Sequence, residues 1–235
     1  MNTTLPPCLS PPRQHWPLPD ALPGALLLSS RFAFSELGAD DFQRCGIEPP
    51  PSVQRSVAKR QAEYLAGRLC ARDALRALAG LDMVPAIGDD RAPVWPADIA
   101  GSITHSSGWA AAVVAHKQDW RGLGLDAESL MPAARAQRLA AEILTPAEIR
   151  RMDPAQVALC VTLTFSLKES LFKALYPLVG QRFYFEHAEV LQWSADGRAR
   201  MRLLTSLSPE FDHGYEVTGQ FAWVEEHLLS LVAVR

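Results

Sequence analysis

The apolar positions in the first half of the chain predict one long helix and one hairpin. Across residues 52–79, apolar side chains recur three and four positions apart, the spacing of a helix with one buried face, and Gly80 provides a stop. Residues 102–105 and 109–115 are typical of two strands, because the residues between them are two serines and a glycine, which favour a tight turn. Residues 84–96, between the helix and the hairpin, predict a loop rich in proline, aspartate and glycine.

The second half begins with a strand at 123–127 and continues with helices and two further hairpins. Helices are expected at 133–144, from the cap signal at 145–148 onward, and at 156–175, where Thr164 allows a break and the end comes before Pro177. Hairpins are expected at 189–193 with 198–204 and at 221–224 with 228–234. Because a helix and an antiparallel hairpin occur in each half, the pattern predicts an α+β fold.

The N-terminal segment differs from the rest of the chain in its proline content. Residues 1–24 contain seven prolines, and proline at that density blocks helices and central strands alike. This segment is therefore expected to be an extended arm on the surface.

Two acidic residues share one face of the strand at 123–127 and its continuation. In the sequence GLGLDAE at 122–128, Asp126 and Glu128 are two positions apart, so their side chains project from the same face with Cα atoms about 6.6 Å apart. Like charges repel at that distance, and a bound cation relieves the repulsion. The alternative is an ordinary acidic, solvent-facing side of an edge strand.

A second pair of charged residues lies on the helix at 156–175. In the sequence FSLKESLFK at 165–173, Glu169 and Lys173 are four residues apart and share a helix face. Hard carboxylate oxygens hold Mg²⁺, and a nearby ammonium neutralises developing phosphoryl charge. Two simpler explanations stay open: Ser166 and Glu169 fit a capping box, and Lys173 fits the i+4 ion-pair partner of Glu169.

These motifs together resemble the 4'-phosphopantetheinyl transferases. The resemblance rests on GLDAE at 124–128, FSLKESLFK at 165–173, SITHS at 102–106 and KRQAEYLAGR at 59–68, which occur in the family's order across roughly residues 50–185. The last of these motifs is similar to the subgroup that activates siderophore synthases, and the broader similarity is to the bacterial type that also serves fatty-acid carrier proteins.

The resemblance implies a role for each motif residue. Metal ligands would be Asp126, Glu128 and Glu169, with Glu169 also the base that acts directly or through water, and Lys173 beside the phosphates. Coenzyme A would be bound by Lys173 together with Arg60, Arg68, Thr104 and His105. On a helix, Arg60 and Arg68 are about 80° apart and can face one ligand. The alternative for the arginines is that they lie on a solvated helix face, which is favoured for Arg72 and Arg76. The alternative for His105 is a structural role, which is the usual one for a single histidine.

The resemblance leaves two phosphate contacts open. Ile87 stands where some relatives have a phosphate-contacting lysine, for which Arg91 is a candidate substitute. Lys168 faces either phosphate or solvent.

The resemblance also implies an architecture and a reaction. Two similar lobes, each an antiparallel sheet packed on a long helix, are expected in pseudo-twofold arrangement, with residues 1–118 carrying the arm and the coenzyme A helix and residues 119–235 the metal and catalytic residues. The reaction is Mg²⁺-dependent transfer of 4'-phosphopantetheine from coenzyme A, the substrate, to a serine of apo acyl carrier proteins or peptidyl and aryl carrier domains, releasing 3',5'-ADP. The alternatives are another Mg²⁺-dependent phosphotransferase or hydrolase and a non-catalytic coenzyme A or carrier-binding module.

Composition limits the class of partner and the compartment. A net charge of −3 gives no reason to expect nucleic acid or membrane binding, although residues 55–76 hold six basic residues against two acidic ones. The four cysteines are scattered without metal or redox spacing. No secretory signal or long apolar run is visible, so a soluble, cytoplasmic protein is expected, with a monomer as the expected state.

Overall fold

The structure is a computed structural model that describes residues 5–235. The chain forms two compact units. Unit 1 comprises the residues up to Trp16 together with Pro23–Asp119, and unit 2 comprises Pro17–Leu22 and Trp120–Arg235. Part of the N-terminal arm, expected in the first lobe, therefore groups with the C-terminal unit.

Unit 1 is an antiparallel sheet packed on one long helix. Its strands are β1 (Arg13–Gln14), β2 (Leu26–Arg31), β3 (Ala86–Ile87), β4 (Pro93–Val94), β5 (Ile99–Ser106) and β6 (Trp109–His116). Its helices are α1 (Asp41–Cys45), α2 (Pro51–Gln54) and α3 (Ala58–Ala79). The main sheet has the order β1-β2-β6-β5, and β3 and β4 form a separate ribbon. The β5–β6 hairpin is as expected, and β2 is a strand that the sequence pattern did not indicate.

The long helix predicted for residues 52–79 is interrupted. Its first turn, α2, ends at Gln54, and α3 begins only at Ala58. Gly80 ends α3 in the left-handed region, as the sequence indicated. Ile103 of β5 lies directly against Gly67, which has no Cβ to obstruct it.

The N-terminal arm is extended but is more than a surface layer. Strand β1 pairs antiparallel with β2, and Cys8, Leu9 and Leu18 are buried. Residues 1–4 of the predicted arm lie outside the described part of the chain. The arm contributes these apolar side chains to the core, and their burial stabilises the proline-rich segment.

Unit 2 is a five-stranded antiparallel sheet covered by one long helix. Its strands are β7 (Gly122–Ser129), β8 (Ala188–Trp193), β9 (Arg198–Leu203), β10 (Glu216–Val224) and β11 (His227–Val234). Its helices are α4 (Ala133–Ile143), α5 (Pro146–Arg151) and α6 (Val157–Val179). The sheet order is β7-β11-β10-β9-β8, so β7 is an edge strand. Both predicted hairpins are present.

Helix α6 is continuous and longer than the sequence suggested. There is no break at Thr164, and Pro177 lies inside the last turn before Gly180 ends the helix. Leu178 and Val179, beyond the proline, still pack against the core of unit 2. Their burial stabilises the last turn in spite of the hydrogen bond that proline cannot donate.

The structure confirms the α+β class, with antiparallel sheets and helices in both units. Within residues 5–235, no helix is long and apolar enough to cross a lipid bilayer.

Candidate active site

Two glycines allow helix α6 to lie directly on strand β7. A Cβ at Gly124 would overlap the carbonyl oxygen of Ser170, and a Cβ at Gly122 would overlap that of Ala174. Because strand side chains alternate, Asp126 projects from the same face of β7 as these two glycines. The close approach therefore brings the acidic end of β7 beneath the charged face of α6.

An ion pair joins the two elements at this point. The Lys173 ammonium lies 2.7 Å from Oδ1 of Asp126 and also donates to the carbonyl oxygen of Leu125, at 3.0 Å. Asp126 is only 5% exposed, which excludes the solvent-facing explanation for its carboxylate. Its second oxygen, Oδ2, is buried and has no hydrogen-bond partner within residues 5–235.

Two further carboxylates share this environment, and their protonation reflects it. Burial, and then the negative charge of Asp126, raise the pKa of Glu128 to about 7, while Lys173 and Arg135 act to lower it. Burial also raises the pKa of Glu169, against the opposing effect of Lys173. Three carboxylates and one ammonium therefore interact within unit 2, where the resemblance implied a single site for the two motifs.

The simpler explanations for the helix pair are wrong. Ser166 cannot cap a helix because it lies in the middle of α6, where its hydroxyl contacts Ser230 at 2.7 Å. Lys173 makes its ion pair with Asp126 on the neighbouring strand rather than with Glu169. Glu169 is consequently available for a role other than capping.

Lys168 faces neither phosphate nor solvent. Its side chain is 2% exposed, and its ammonium pairs with Oε2 of Glu148 at 2.8 Å. It also donates to the carbonyl oxygens of Ile143 and Phe185. Glu148 in turn accepts from the backbone N–H of Thr145 in the α5 capping box and from that of Val190. Lys168 is thus a buried structural cation that joins α6 to α5 and β8.

The donor set fits a hard cation, although the side chains are not arranged as a metal site. Among the described residues, no three His, Cys, Asp or Glu side chains converge as metal ligands would. The ligands do not converge because the Lys173 ammonium already lies at Oδ1 of Asp126, where a metal cation would bind. The unpartnered Oδ2 and the mutual repulsion of three carboxylates are features that Mg²⁺ binding would relieve.

In unit 1, helix α3 and the end of β5 bring Arg60 and His105 together. Nη1 of Arg60 lies 2.7 Å from Nε2 of His105 and 3.4 Å from the carboxylate of Glu63. Nδ1 of His105 lies 3.6 Å from that same carboxylate. Arg60 is exposed, so its guanidinium can reach a ligand in solvent.

Arg68 has a different environment from Arg60. It is 6% exposed, its guanidinium lies 5.0 Å from the ring centroid of Tyr64, and Nη2 donates to Ala86 at 3.5 Å. Burial lowers its pKa, yet its Nε has no hydrogen-bond partner and no carboxylate lies within ion-pair distance in residues 5–235. The burial of Arg68 excludes the solvated-surface explanation. An arginine nevertheless stays charged at such a site. A buried cation without a carboxylate is the feature expected of a site that receives an anion.

The remaining predicted contacts are distributed differently. Thr104 is buried and, by strand alternation, points to the opposite face of β5 from His105. Arg91 is exposed in the turn between β3 and β4 with a φ of 73°. Arg72 is partly buried and donates to the carbonyl oxygen of Cys45, which differs from the solvated face expected of it, whereas Arg76 is exposed and pairs with acidic residues.

Two features beside the carboxylates were missed by sequence reasoning. One is a cavity of about 180 Å³, whose lining includes Glu169, Phe172, Arg182 and Phe183. The other is the charge of Arg135 on α4, which acts on Glu128. The aromatic run at 183–185 was the available signal for the cavity, and nothing in the local pattern indicated Arg135.

Comparison with known proteins identifies the class. Residues 48–115 match the 4'-phosphopantetheinyl transferase N-terminal domain, and residues 122–231 match the 4'-phosphopantetheinyl transferase superfamily. A relative from Streptomyces mobaraensis, 4'-phosphopantetheinyl transferase Svp, is 36% identical over 181 residues, 73% of this chain and 71% of its own. The chain therefore belongs to the 4'-phosphopantetheinyl transferase superfamily.

Two other relatives define shorter regions of similarity. Enterobactin synthase component D of Escherichia coli O157:H7 is 45% identical over 124 residues, 52% of this chain and 58% of its own. The 4'-phosphopantetheinyl transferase Npt of Nocardia iowensis is 34% identical over 148 residues, 63% of this chain and 66% of its own. The matched region thus spans somewhat more than half of the length of the enterobactin synthase component.

Proposed function

We propose that the chain transfers 4'-phosphopantetheine from coenzyme A to a serine hydroxyl of an apo carrier protein and releases 3',5'-ADP. One observation carries the proposal: in a member of this superfamily, β7 and α6 bring Lys173 to Asp126 with the carboxylates of Glu128 and Glu169 in the same charged environment. That group combines a cation-binding set with a base and an ammonium, which phosphoryl transfer requires.

The metal would be held by Asp126, Glu128 and Glu169. When bound, Mg²⁺ would act as a Lewis acid towards the pyrophosphate and neutralise charge on the leaving phosphate. Glu169, whose pKa is raised by burial, would accept the proton of the carrier serine directly or through a water. Lys173 would move from Asp126 and place its ammonium near the departing phosphate, where it stabilises negative charge.

The nucleotide end of coenzyme A would be bound by residues of unit 1. The buried charge of Arg68 supports a phosphate contact, and the exposed Arg60 beside His105 supports a second one. Thr104 and Arg91 are further candidates for contacts with this end of the ligand. The pantetheine arm would lie in the cavity beside Glu169, where four of the eight lining residues are aromatic.

The carrier protein would dock on the surface of α4. Arg135 and Arg138 are exposed one turn apart on this helix, and Leu130, just before it, is 47% exposed. A partly apolar, basic surface complements the acidic helices of carrier proteins. Arg135 also acts electrostatically on Glu128, so this surface adjoins the carboxylates.

The name of one relative bears on which carriers are used. Because enterobactin synthase component D is a relative, we include the carrier domains of siderophore synthases among the substrates. Fatty-acid acyl carrier proteins are also proposed as substrates, and the basis for them is only the resemblance to the broad bacterial type of the family. The four cysteines are free and buried, which supports a reducing cytoplasm, and the protein is proposed to act as a monomer.

The test is the intact mass of apo carrier proteins incubated with the chain, coenzyme A and Mg²⁺. The phosphopantetheine increment is expected on a peptidyl or aryl carrier and on a fatty-acid acyl carrier, and EDTA should abolish it. Hydrolysis of coenzyme A without the increment would indicate the hydrolase alternative, and binding without turnover the non-catalytic one.

The same assay tests the docking surface. Arg135→Glu and Arg138→Glu should raise the KM for the carrier, whereas Arg200→Glu on β9, three strands away from β7, makes the same charge change and should not. Equal effects of all three variants would reject α4 as the docking surface.

A further inference from the structure

A buried chain of three serine hydroxyls joins α6 to β11 beside the carboxylates. Oγ of Ser230, on β11, lies 2.7 Å from Oγ of Ser166 and 2.8 Å from Oγ of Ser170. All three residues are fully buried. Polar groups are costly to bury, so such a cluster at a helix–sheet contact calls for an explanation beyond packing.

The donors and acceptors of this cluster balance. The Ser170 hydroxyl donates to the carbonyl oxygen of Ser230, at 3.1 Å. The Ser230 hydroxyl then donates to Ser170, and the Ser166 hydroxyl donates to Ser230, so three protons make three bonds. A serine within a helix ordinarily bonds the carbonyl four residues back, whereas these two make directional bonds across to the sheet.

The position of Ser230 relates the cluster to the proposed site. Ser230 is the direct partner of Asp126 in the β11–β7 ladder, so the two side chains share one face of the sheet. On α6, Ser170 directly follows Glu169 and is three residues before Lys173. One sheet residue therefore fixes the helix at two points, one turn apart, next to the carboxylate that Lys173 contacts.

At its contact with β7, α6 gains little register from side-chain shape, although its leucines pack into the core elsewhere. The glycines at 122 and 124 present no side chains that could interlock with α6, and the overlying residues, Ser170 and Ala174, are small. A smooth contact of this kind permits close approach but specifies register weakly. Directional hydrogen bonds supply the register that side-chain shape does not provide at this contact.

We propose that Ser230 is a positioning residue, which through Ser166 and Ser170 sets the register of α6 on the sheet and so places Glu169 and Lys173 opposite Asp126. The inference rests on the proposed function, because it is those side chains that would hold the metal and move the proton. Ser230 itself contacts neither substrate nor metal.

The test compares three variants of the full chain. Ser230→Ala removes the central hydroxyl and frees both helix serines to bond within α6. The double variant Ser166→Ala/Ser170→Ala keeps Ser230 and raises helix propensity, so α6 should form even if the first variant folds poorly. Val217→Ala, in the core of the same unit, is the control for loss of stability without loss of the hydroxyl chain.

Two readouts separate positioning from general destabilisation. At saturating Mg²⁺, Ser230→Ala and the double variant should lower kcat about 10- to 100-fold, the size expected when reacting groups move by about 1 Å, with little change in the KM for coenzyme A. Binding of Mn²⁺, followed by its enhancement of water-proton relaxation, should weaken in the same variants. Val217→Ala should lower the melting temperature while both readouts stay at the wild-type level.

The outcomes are distinct. A loss in either readout beyond that of Val217→Ala supports the positioning role, whereas serine variants that behave like Val217→Ala in both would overturn it. A wild-type chain that binds Mn²⁺ without transferring phosphopantetheine would refute the proposed function alone, since the relaxation readout still decides on Ser230. A wild-type chain that does neither overturns both.

Discussion

At the scale of single residues, a substitution of Glu169 distinguishes a catalytic role from a structural role most clearly. Its carboxylate lies on the charged face of a continuous helix, and the capping role that its sequence allowed does not exist. Substitution by glutamine keeps the size and removes both the base and the anionic ligand.

We therefore expect Glu169→Gln to melt close to the wild type and to lose most of its transfer rate. Thermal unfolding and initial rates on the same preparation provide the measurement. A variant that lost stability but kept its rate per folded molecule would show that the residue is structural.

Arg68 should distinguish coenzyme A from dephospho-coenzyme A if its buried guanidinium contacts the 3'-phosphate. Losing a hydrogen bond to a charged group costs about 1.5 to 3 kcal/mol, so Arg68→Ala should weaken coenzyme A roughly 10- to 150-fold and dephospho-coenzyme A much less. Calorimetric titration of both ligands measures the difference. The control is Arg76→Ala on the same helix, where the arginine is exposed and ion-paired; equal weakening of both ligands by Arg68→Ala would assign the residue to another part of the nucleotide.

At the scale of elements, the Lys168–Glu148 pair joins α6 to α5 and β8. Lys168→Met leaves the Glu148 carboxylate buried without its cation, and breaking such a pair from one side costs about 3 to 5 kcal/mol. The double variant Lys168→Met/Glu148→Gln removes the uncompensated charge and should recover part of that loss. Urea unfolding of both variants measures it, and additive losses in the double variant would contradict the coupling.

The contact between β7 and α6 depends on glycine at position 124. In Gly124→Ala the added methyl overlaps the Ser170 carbonyl, so the helix must move away from the strand. We expect a loss of about 1 to 3 kcal/mol or more in the free energy of unfolding, together with impaired Mn²⁺ binding. Gly46→Ala, where a Cβ meets no other atoms but φ is positive, shows the cost of backbone strain, which does not arise at Gly124 in its extended strand. Gly124→Ala with unchanged Mn²⁺ binding would show that the spacing is not critical.

How much of this could be predicted depends on how local the determinants are. The acidic strand, the charged helix face and the three hairpins follow from periodicity and turn residues within short windows, and the structure confirms those elements. The partner of Lys168 is 20 residues away, so no local pattern could have assigned it. Strand β2, with the sequence LLLSSR, lacks the alternation that marks a strand because four of its six residues are buried.

At the scale of the whole molecule, the acidic cluster should make the metal-free protein sensitive to pH. Folding raises the pKa of Glu128 from its ordinary value of 4.5 to about 7, so between these values the folded chain binds more protons than the unfolded one. The free energy of unfolding should then fall as pH rises through this window. The stability that the raised pKa of Glu128 contributes is fully present only below pH 4.5.

The measurement is thermal melting from pH 4.5 to 8 in EDTA. Glu128→Gln should flatten the pH dependence, and so should saturating Mg²⁺ if the carboxylates bind it. Glu142→Gln, an exposed acid on α4, controls for the change in net charge. An identical slope in Glu128→Gln and the wild type would show that this carboxyl is not responsible.

The segment Pro17–Leu22 has a consequence for how the chain folds as it is synthesised. Asp20 forms a paired ion bridge with Arg198 and exchanges two hydrogen bonds with Gln220, and Pro19 lies against Gly197. These partners leave the ribosome about 180 to 200 residues later. The segment cannot make these contacts until about 180 to 200 further residues have been translated, and prolines that keep it out of helix and sheet suit it to that delay.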